Sequence, residues 1–235
     1  MSERIELAHI APERIEARSF EIIDAEVPEP RPFSGVAWSI VRRMIHTTAD
    51  FELLDLARFH PDAVASGLAA LARGCTIVTD TEMARMGIPV RRMEPLGCEV
   101  RCLMNDPRVA LRAKADGTTR AHAAVDVAVE EIRPEIFVIG NAPTALVRLL
   151  EHVRAGRARP ALVVGMPVGF VNAAESKALL VNQDAAGKSA SDGAGAPFVA
   201  PYIAVHGRKG GSPMAACVIN ALAEEVLRRR NAEEA

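Results

Sequence analysis

The sequence lacks the cysteine spacings that build metal sites. Its four cysteines, Cys75, Cys98, Cys102 and Cys217, fall mostly in apolar segments, with no C-x-x-C pair and no histidine at ligand spacing. Buried free thiols are therefore expected. No apolar run approaches the length needed to cross a bilayer, and the first residues, Met1 to Glu6, contain no apolar signal core, so the reading is a cytoplasmic protein. Charge of one sign is missing too: 28 basic against 30 acidic residues give a net charge of −2. That balance argues against a general binder of nucleic acid or membrane surfaces and leaves any anionic ligand to local arginines. No G-x-G-x-x-G follows any predicted strand, which argues against a dinucleotide enzyme and against a methyltransferase with a glycine-rich donor loop. Gly187-Lys188-Ser189 is not a P-loop, because the position that needs the first glycine holds Asn182.

What is present fits a globular chain of 235 residues, 49% hydrophobic and 25% charged. One domain, 1–235, is expected, with an N-terminal helical part over 1–74 and alternating β/α units over 75–235. Ala37, Ile40, Val41, Met44 and Ile45 repeat at helical spacing and predict an amphipathic helix with Ser34 as a possible N-cap. Thr47-Thr48-Ala49-Asp50 is poor helix material and ends it. His46 then lies in the last turn, where it could act as a proton donor, and Arg43 shares roughly its face and could hold an anionic group beside it. The bland alternative is a surface histidine with two solvated arginines. Asp50, if it folds back, would balance the arginine charge beside His46. Pro28, Pro30 and Pro32 mark a connection rather than an element.

Beyond Gly74 the pattern alternates. Apolar runs at 75–78, 100–103, 136–139, 161–164 and 202–205 are each followed by turn residues and a helical segment, near 81–86, 120–131, 144–154, 173–180 and 213–229. Continuous apolar strands separated by helices imply a doubly wound α/β fold: a mostly parallel five-stranded sheet with helices on both faces and an N-terminal helical extension. In such sheets the ligand crevice lies beyond the carboxyl ends of the strands. Thr79-Asp80, Asn105, Gly140-Asn141, Gly165-Met166 and Gly207-Arg208 all fall there. Gly207–Ser212 reads either as an anion cradle or as a plain tight turn. Residues 182–197, rich in small side chains, read as a loop between the fourth helix and the fifth strand, either a lid or a surface insertion.

Six stretches then follow one another in the order of one known family: Ile15–Phe20; Arg43-Met44-Ile45-His46 with Asp50 after it; Asp80-Thr81-Glu82-Met83; Gly140–Leu146; Gly165–Lys177; and Gly207–Ser212. Over nearly its whole length the chain resembles the precorrin-8X methylmutases of corrin (cobalamin) biosynthesis. The 182–197 segment departs from that pattern by being longer. The resemblance implies an isomerase that moves a methyl group from carbon 11 to carbon 12 of a tetrapyrrole, giving hydrogenobyrinate, with no external donor, no cofactor and no metal. It implies His46 as the proton donor and acceptor, Ser19 and Arg43 as contacts to substrate carboxylates, and Arg120, Lys177, Arg208 and Lys209 as further partners. It also implies a homodimer whose second subunit completes the pocket. Three other readings stay open at this point: the cobalt-precorrin-8 substrate of the cobalt-early branch, a corrin carrier without catalysis, and an α/β phosphate-sugar enzyme using the Gly207–Ser212 loop.

Overall fold

A computed structural model describes residues 10–183 and 198–233. The apolar runs form strands β2 (Thr76–Thr79), β3 (Glu99–Cys102), β4 (Ile136–Ile139), β5 (Leu162–Gly165) and β6 (Tyr202–Val205), all within a residue or so of their expected places. They are preceded by a strand that the pattern does not announce, β1 (Ala57–Phe59). The sheet therefore has six strands rather than five, in the order β1-β6-β5-β4-β2-β3. Every pairing is parallel except β1 with β6, where Ala57 faces Val205 and Phe59 faces Ile203. Three residues are too few for alternation to show in sequence, and the edge strand is extended by the His60 N–H donating to the Tyr202 carbonyl at 2.9 Å.

Helices cover both faces: α1 (Ile15–Glu26), α2 (Gly35–Thr48), the single turn α3 (Leu53–Leu56), α4 (Ala63–Arg73), α5 (Glu82–Gly87), α6 (Val90–Met93), α7 (Pro107–Asp116), α8 (Arg120–Val127), α9 (Pro143–Arg154), α10 (Ala173–Val181) and α11 (Ser212–Glu233). Strand pleating divides the core. Ile77, Ile136, Val138, Leu162, Val164, Ile203 and Val205 point to the face packed by α2, α4 and α11, while Val78, Phe137, Ile139, Val163 and Ala204 point to the face packed by α8, α9 and α10. Each of the valine, leucine, isoleucine and phenylalanine side chains among them, fully buried, contributes about 1.5–3 kcal/mol relative to exposure.

The chain winds from β2 outward to β3 and then returns past β2 to β4, so the direction of winding reverses between β2 and β4. The ends of the 182–197 segment are clasped: Gln183 Nε2 donates to the Leu180 carbonyl at 2.8 Å, and its Oε1 accepts from the Ala200 N–H at 3.1 Å. Most of that segment, 184–197, lies outside the described residues.

Candidate active site

Helix α2 ends for the reasons its sequence gives. The hydroxyls of Thr47 and Thr48 donate back to the carbonyls of Arg43 and Met44 at 2.8 and 2.9 Å, and Ala49 takes a left-handed conformation, φ 54°. Ser34 stands at the N-cap in extended conformation, but its hydroxyl makes no capping bond. His46, in the last turn, is exposed, and its ring meets the edge of Phe20 on α1 with centroids 5.3 Å apart. The guanidiniums of Arg42 and Arg43 stand 4.5 and 5.2 Å from the same Phe20 ring. Ser19, next to Phe20, spends its hydroxyl on the Ile15 carbonyl at 3.0 Å.

Arg43 is only 7% exposed. It donates to Glu16 on α1 at 2.8 Å and to Glu224 on α11, which also accepts from Arg92. Burial works against the Arg43 charge, but Glu16 and Glu224 outweigh it and hold the guanidinium more firmly protonated than usual. A cavity of about 190 Å³ opens beside Phe20, Arg43 and Glu224.

Asp50, which would balance the charge at His46 if it folded back, is bound elsewhere. The left-handed turn at Ala49 redirects the chain, and Asp50 accepts from the Lys209 ammonium at 2.5 Å, with Glu52 adding a second contact at 2.8 Å. The end of α2 is thereby tied to the loop after β6. That loop is tied in turn to the loop after β5, because the Gly169 N–H donates to the Arg208 carbonyl and the Gly211 N–H to the Met166 carbonyl. Arg208 is exposed and stands 5.4 Å from the Phe170 ring; Phe170 and Val171 are 83% and 77% exposed. Lys177, on α10, is the opposite case. It is 1% exposed, its ammonium donates to the Lys209 carbonyl at 2.5 Å, and burial brings its pKa down to about 8.

The glycines of these loops serve backbone packing. A Cβ on Gly210 would lie 2.2 Å from the Met166 carbonyl oxygen, and one on Gly140 would lie 2.7 Å from the Ser212 Cα. Gly207–Ser212 is thus a tight turn wedged against its neighbours, and at least one of its amides is already engaged. At the winding reversal the crevice is occupied by the protein itself. Asp80 accepts from the N–H groups of Gly140, Asn141 and Ala142 at 2.9, 2.8 and 2.7 Å, so the amides of the turn leading into α9 are satisfied internally. Burial raises the Asp80 pKa against those three donors. Arg120 opens α8 on an exposed surface; Thr119 beside it hydrogen-bonds Thr144 of α9 at 2.9 Å, which sets Arg120 near the carboxyl end of β4.

A family model described as precorrin-8X methylmutase matches residues 14–225, which include every element from the start of α1 to most of α11. The chain belongs to the precorrin-8X methylmutase family. A cobalt-precorrin-8 methylmutase of Salmonella typhimurium is 45% identical over 90% of this chain and 94% of its own. A precorrin-8X methylmutase of a Sinorhizobium species is 42% identical over 89% of this chain and 93% of its own. The crystal structure of a precorrin-8X methylmutase from Thermus thermophilus superposes with a TM-score of 0.80 at 43% identity, covering 92% of this chain and 97% of that one. As a methylmutase the chain is an isomerase that shifts a methyl group within one molecule.

The arrangement brings together His46, Phe20, Ser19 and Arg43 at one place, and Asp50, Lys209, Arg208 and Phe170 at another. Arg120 lies across the sheet on the same carboxyl edge. Sequence reasoning gave no role to Phe20, Asp80 or Phe170. Asp80 carried one local signal, its place just after a strand, and Phe170 another, an apolar Phe170-Val171 pair between a proline-glycine turn and a helix start.

Proposed function

We propose that the chain isomerises precorrin-8X to hydrogenobyrinate by moving one methyl group from carbon 11 to carbon 12. The observation that carries this reading is the exposed His46 imidazole at a helix terminus, packed against Phe20, on a helix whose end is tied through Asp50 to Lys209 in the loop after β6. His46 gives a proton to the conjugated macrocycle. The bond from carbon 11 to the methyl group breaks as the bond to carbon 12 forms, in a 1,5 shift, and the proton returns to His46. Substrate and product are isomers, so no donor, reductant or leaving group enters. One positioned acid supplies about 10²–10⁴-fold in such a step, and the pocket provides shape and neutralises charge.

The substrate's acidic side chains are met by Arg208, Lys209 and Arg120, with Ser19 and Arg43 near the proton donor. The loops after β4 and β6 are two ladder spacings apart, about 10 Å, a gap that a macrocycle bridges. Lys177 acts through Lys209, whose carbonyl it holds, and Arg43 acts with its charge shared between Glu16 and Glu224. His46 stands exposed on the surface, and we assign the wall that would enclose a macrocycle there to a second copy of the chain, as a homodimer in the cytoplasm. Among the described residues no helix is long and apolar enough to cross a membrane.

The test is His46→Ala. Turnover, followed by the visible absorption of the corrin product, is expected to fall at least 10²-fold while the coloured product still binds. Full turnover in the variant would remove His46 as the acid; product binding with no turnover in the parent protein would favour a carrier. Parallel assays with the metal-free and the cobalt-containing substrate decide which of the two the site accepts, and the metal-free form is expected to turn over faster.

A further inference from the structure

Two thiols sit side by side at the end of the sheet opposite the candidate active site. Cys75 and Cys98 each stand one residue before a strand, β2 and β3, whose first paired residues are Thr76 and Glu99. They therefore occupy facing positions on adjacent parallel strands. The spacing of such strands, about 4.8 Å, lies within the range of roughly 4.4–6.8 Å between the Cα atoms of bonded cysteines.

The sulfurs are already in contact. Their separation is 3.9 Å, the Cys75 N–H points at Cys98 Sγ from 3.4 Å, and Cys98 Sγ lies 3.6 Å from the Leu71 carbonyl. The two differ in access. Cys75 is buried, whereas Cys98 is half-buried and opens onto a groove of about 650 Å³ that Met86, Val90 and Met93 also line. They differ in charge as well. The Cys75 thiol, with help from its backbone amide and from Arg230, holds the Cys98 pKa down to about 7 against burial, while Cys98 and burial push the Cys75 thiol up. The accessible sulfur is the better nucleophile, and the hidden one is placed to resolve what it forms. Arg230, fixed by donating to the Pro95 and Ala72 carbonyls, puts a positive charge near the same sulfur.

We propose that Cys98 is a modification site for small anionic disulfides of the glutathione class, and that Cys75 converts the adduct into an intramolecular Cys75–Cys98 disulfide. In the first step the Cys98 thiolate attacks one sulfur of the reagent, forming a mixed disulfide and expelling one thiolate. In the second, Cys75 gives up its proton to water and attacks Cys98 Sγ, expelling the other thiolate. Two protein thiols are oxidised to one disulfide, and one reagent disulfide is reduced to two thiols. The sulfurs must close from 3.9 Å to about 2.05 Å, which side-chain rotation supplies.

The experiment uses the full chain in native buffer with oxidised glutathione. Free thiols are expected to drop from four to two, a peptide map to join Cys75 to Cys98, and dithiothreitol to restore all four. Cys75→Ser is expected to stop at a stable glutathione adduct on Cys98, and Cys98→Ser to leave Cys75 unmodified. Wild-type protein that keeps four thiols, loses those of Cys102 or Cys217 first, or accumulates an unresolved adduct on Cys98 would overturn the proposal. The wild-type map decides the matter even where a serine variant fails to fold.

Discussion

Phe20 touches three side chains at once: Arg42, Arg43 and His46. A leucine there would keep the apolar volume and lose the ring that the two guanidiniums and the imidazole pack against. Phe20→Leu is therefore expected to lower kcat about tenfold with KM little changed, since small errors in the position of a proton donor are costly; a KM effect of equal size would mean that Phe20 touches substrate directly. Lys177 offers a test of another kind. Its folded pKa of about 8 lies below the ordinary lysine value, so between these limits the unfolded chain binds the extra proton and stability rises with pH. The charged form is what the fold tolerates poorly, and the gain on crossing the window is about 3 kcal/mol. Denaturant titrations from pH 7 to pH 10.5 should show this slope, and Lys177→Met should flatten it. At this scale the place of His46 in a last helical turn was legible because the end of its helix was legible. The partners of Asp50 and Lys177 were not, because each is bound by Lys209, a residue far away in sequence.

The helices on one face are joined by a buried carboxylate. Asp126 of α8, 2% exposed, accepts from Arg148 and His152 of α9 at 2.6 Å each, and Arg112 of α7 stands 3.6 Å away. Burial works against its charge, yet these partners leave its pKa below the usual carboxylate range. That contribution to stability is present above the ordinary value and is lost as pH falls through the folded one. Asp126→Asn is expected to cost about 3 kcal/mol in urea unfolding at pH 7 and to weaken the acid limb of the stability curve. Gly210→Ala tests the loops, since a methyl group 2.2 Å from the Met166 carbonyl must drive the turns after β5 and β6 apart. Activity should fall more than stability. The central strands could be read from sequence because burial on both faces leaves unbroken apolar runs. Helix α7 could not, because it buries only Val109 and Ala113 and exposes charged residues elsewhere. The N-terminal connection hid α1 for a similar reason: Ile23 alone is buried there.

For the molecule as a whole, one sheet shared by both cores argues that 1–235 unfolds as one unit. A single transition, coincident by circular dichroism and by Trp38 fluorescence, is expected; two separated transitions would divide the chain near residue 74. If a second copy walls the site, sedimentation should give a dimer, and turnover per subunit should fall on dilution below the dissociation constant of the dimer. The fold class was readable in full outline, apart from an edge strand three residues long. Whether a second copy completes the site was not, because a contact between copies leaves no periodic trace in the sequence. The clasp at Gln183 has a practical side. Because its amide fixes where the chain departs and where Ala200 resumes, the stretch between can change in length without moving β6, each doubling costing only about 0.6 kcal/mol. That makes it the natural splice point for an epitope or a fluorescent reporter in a working enzyme.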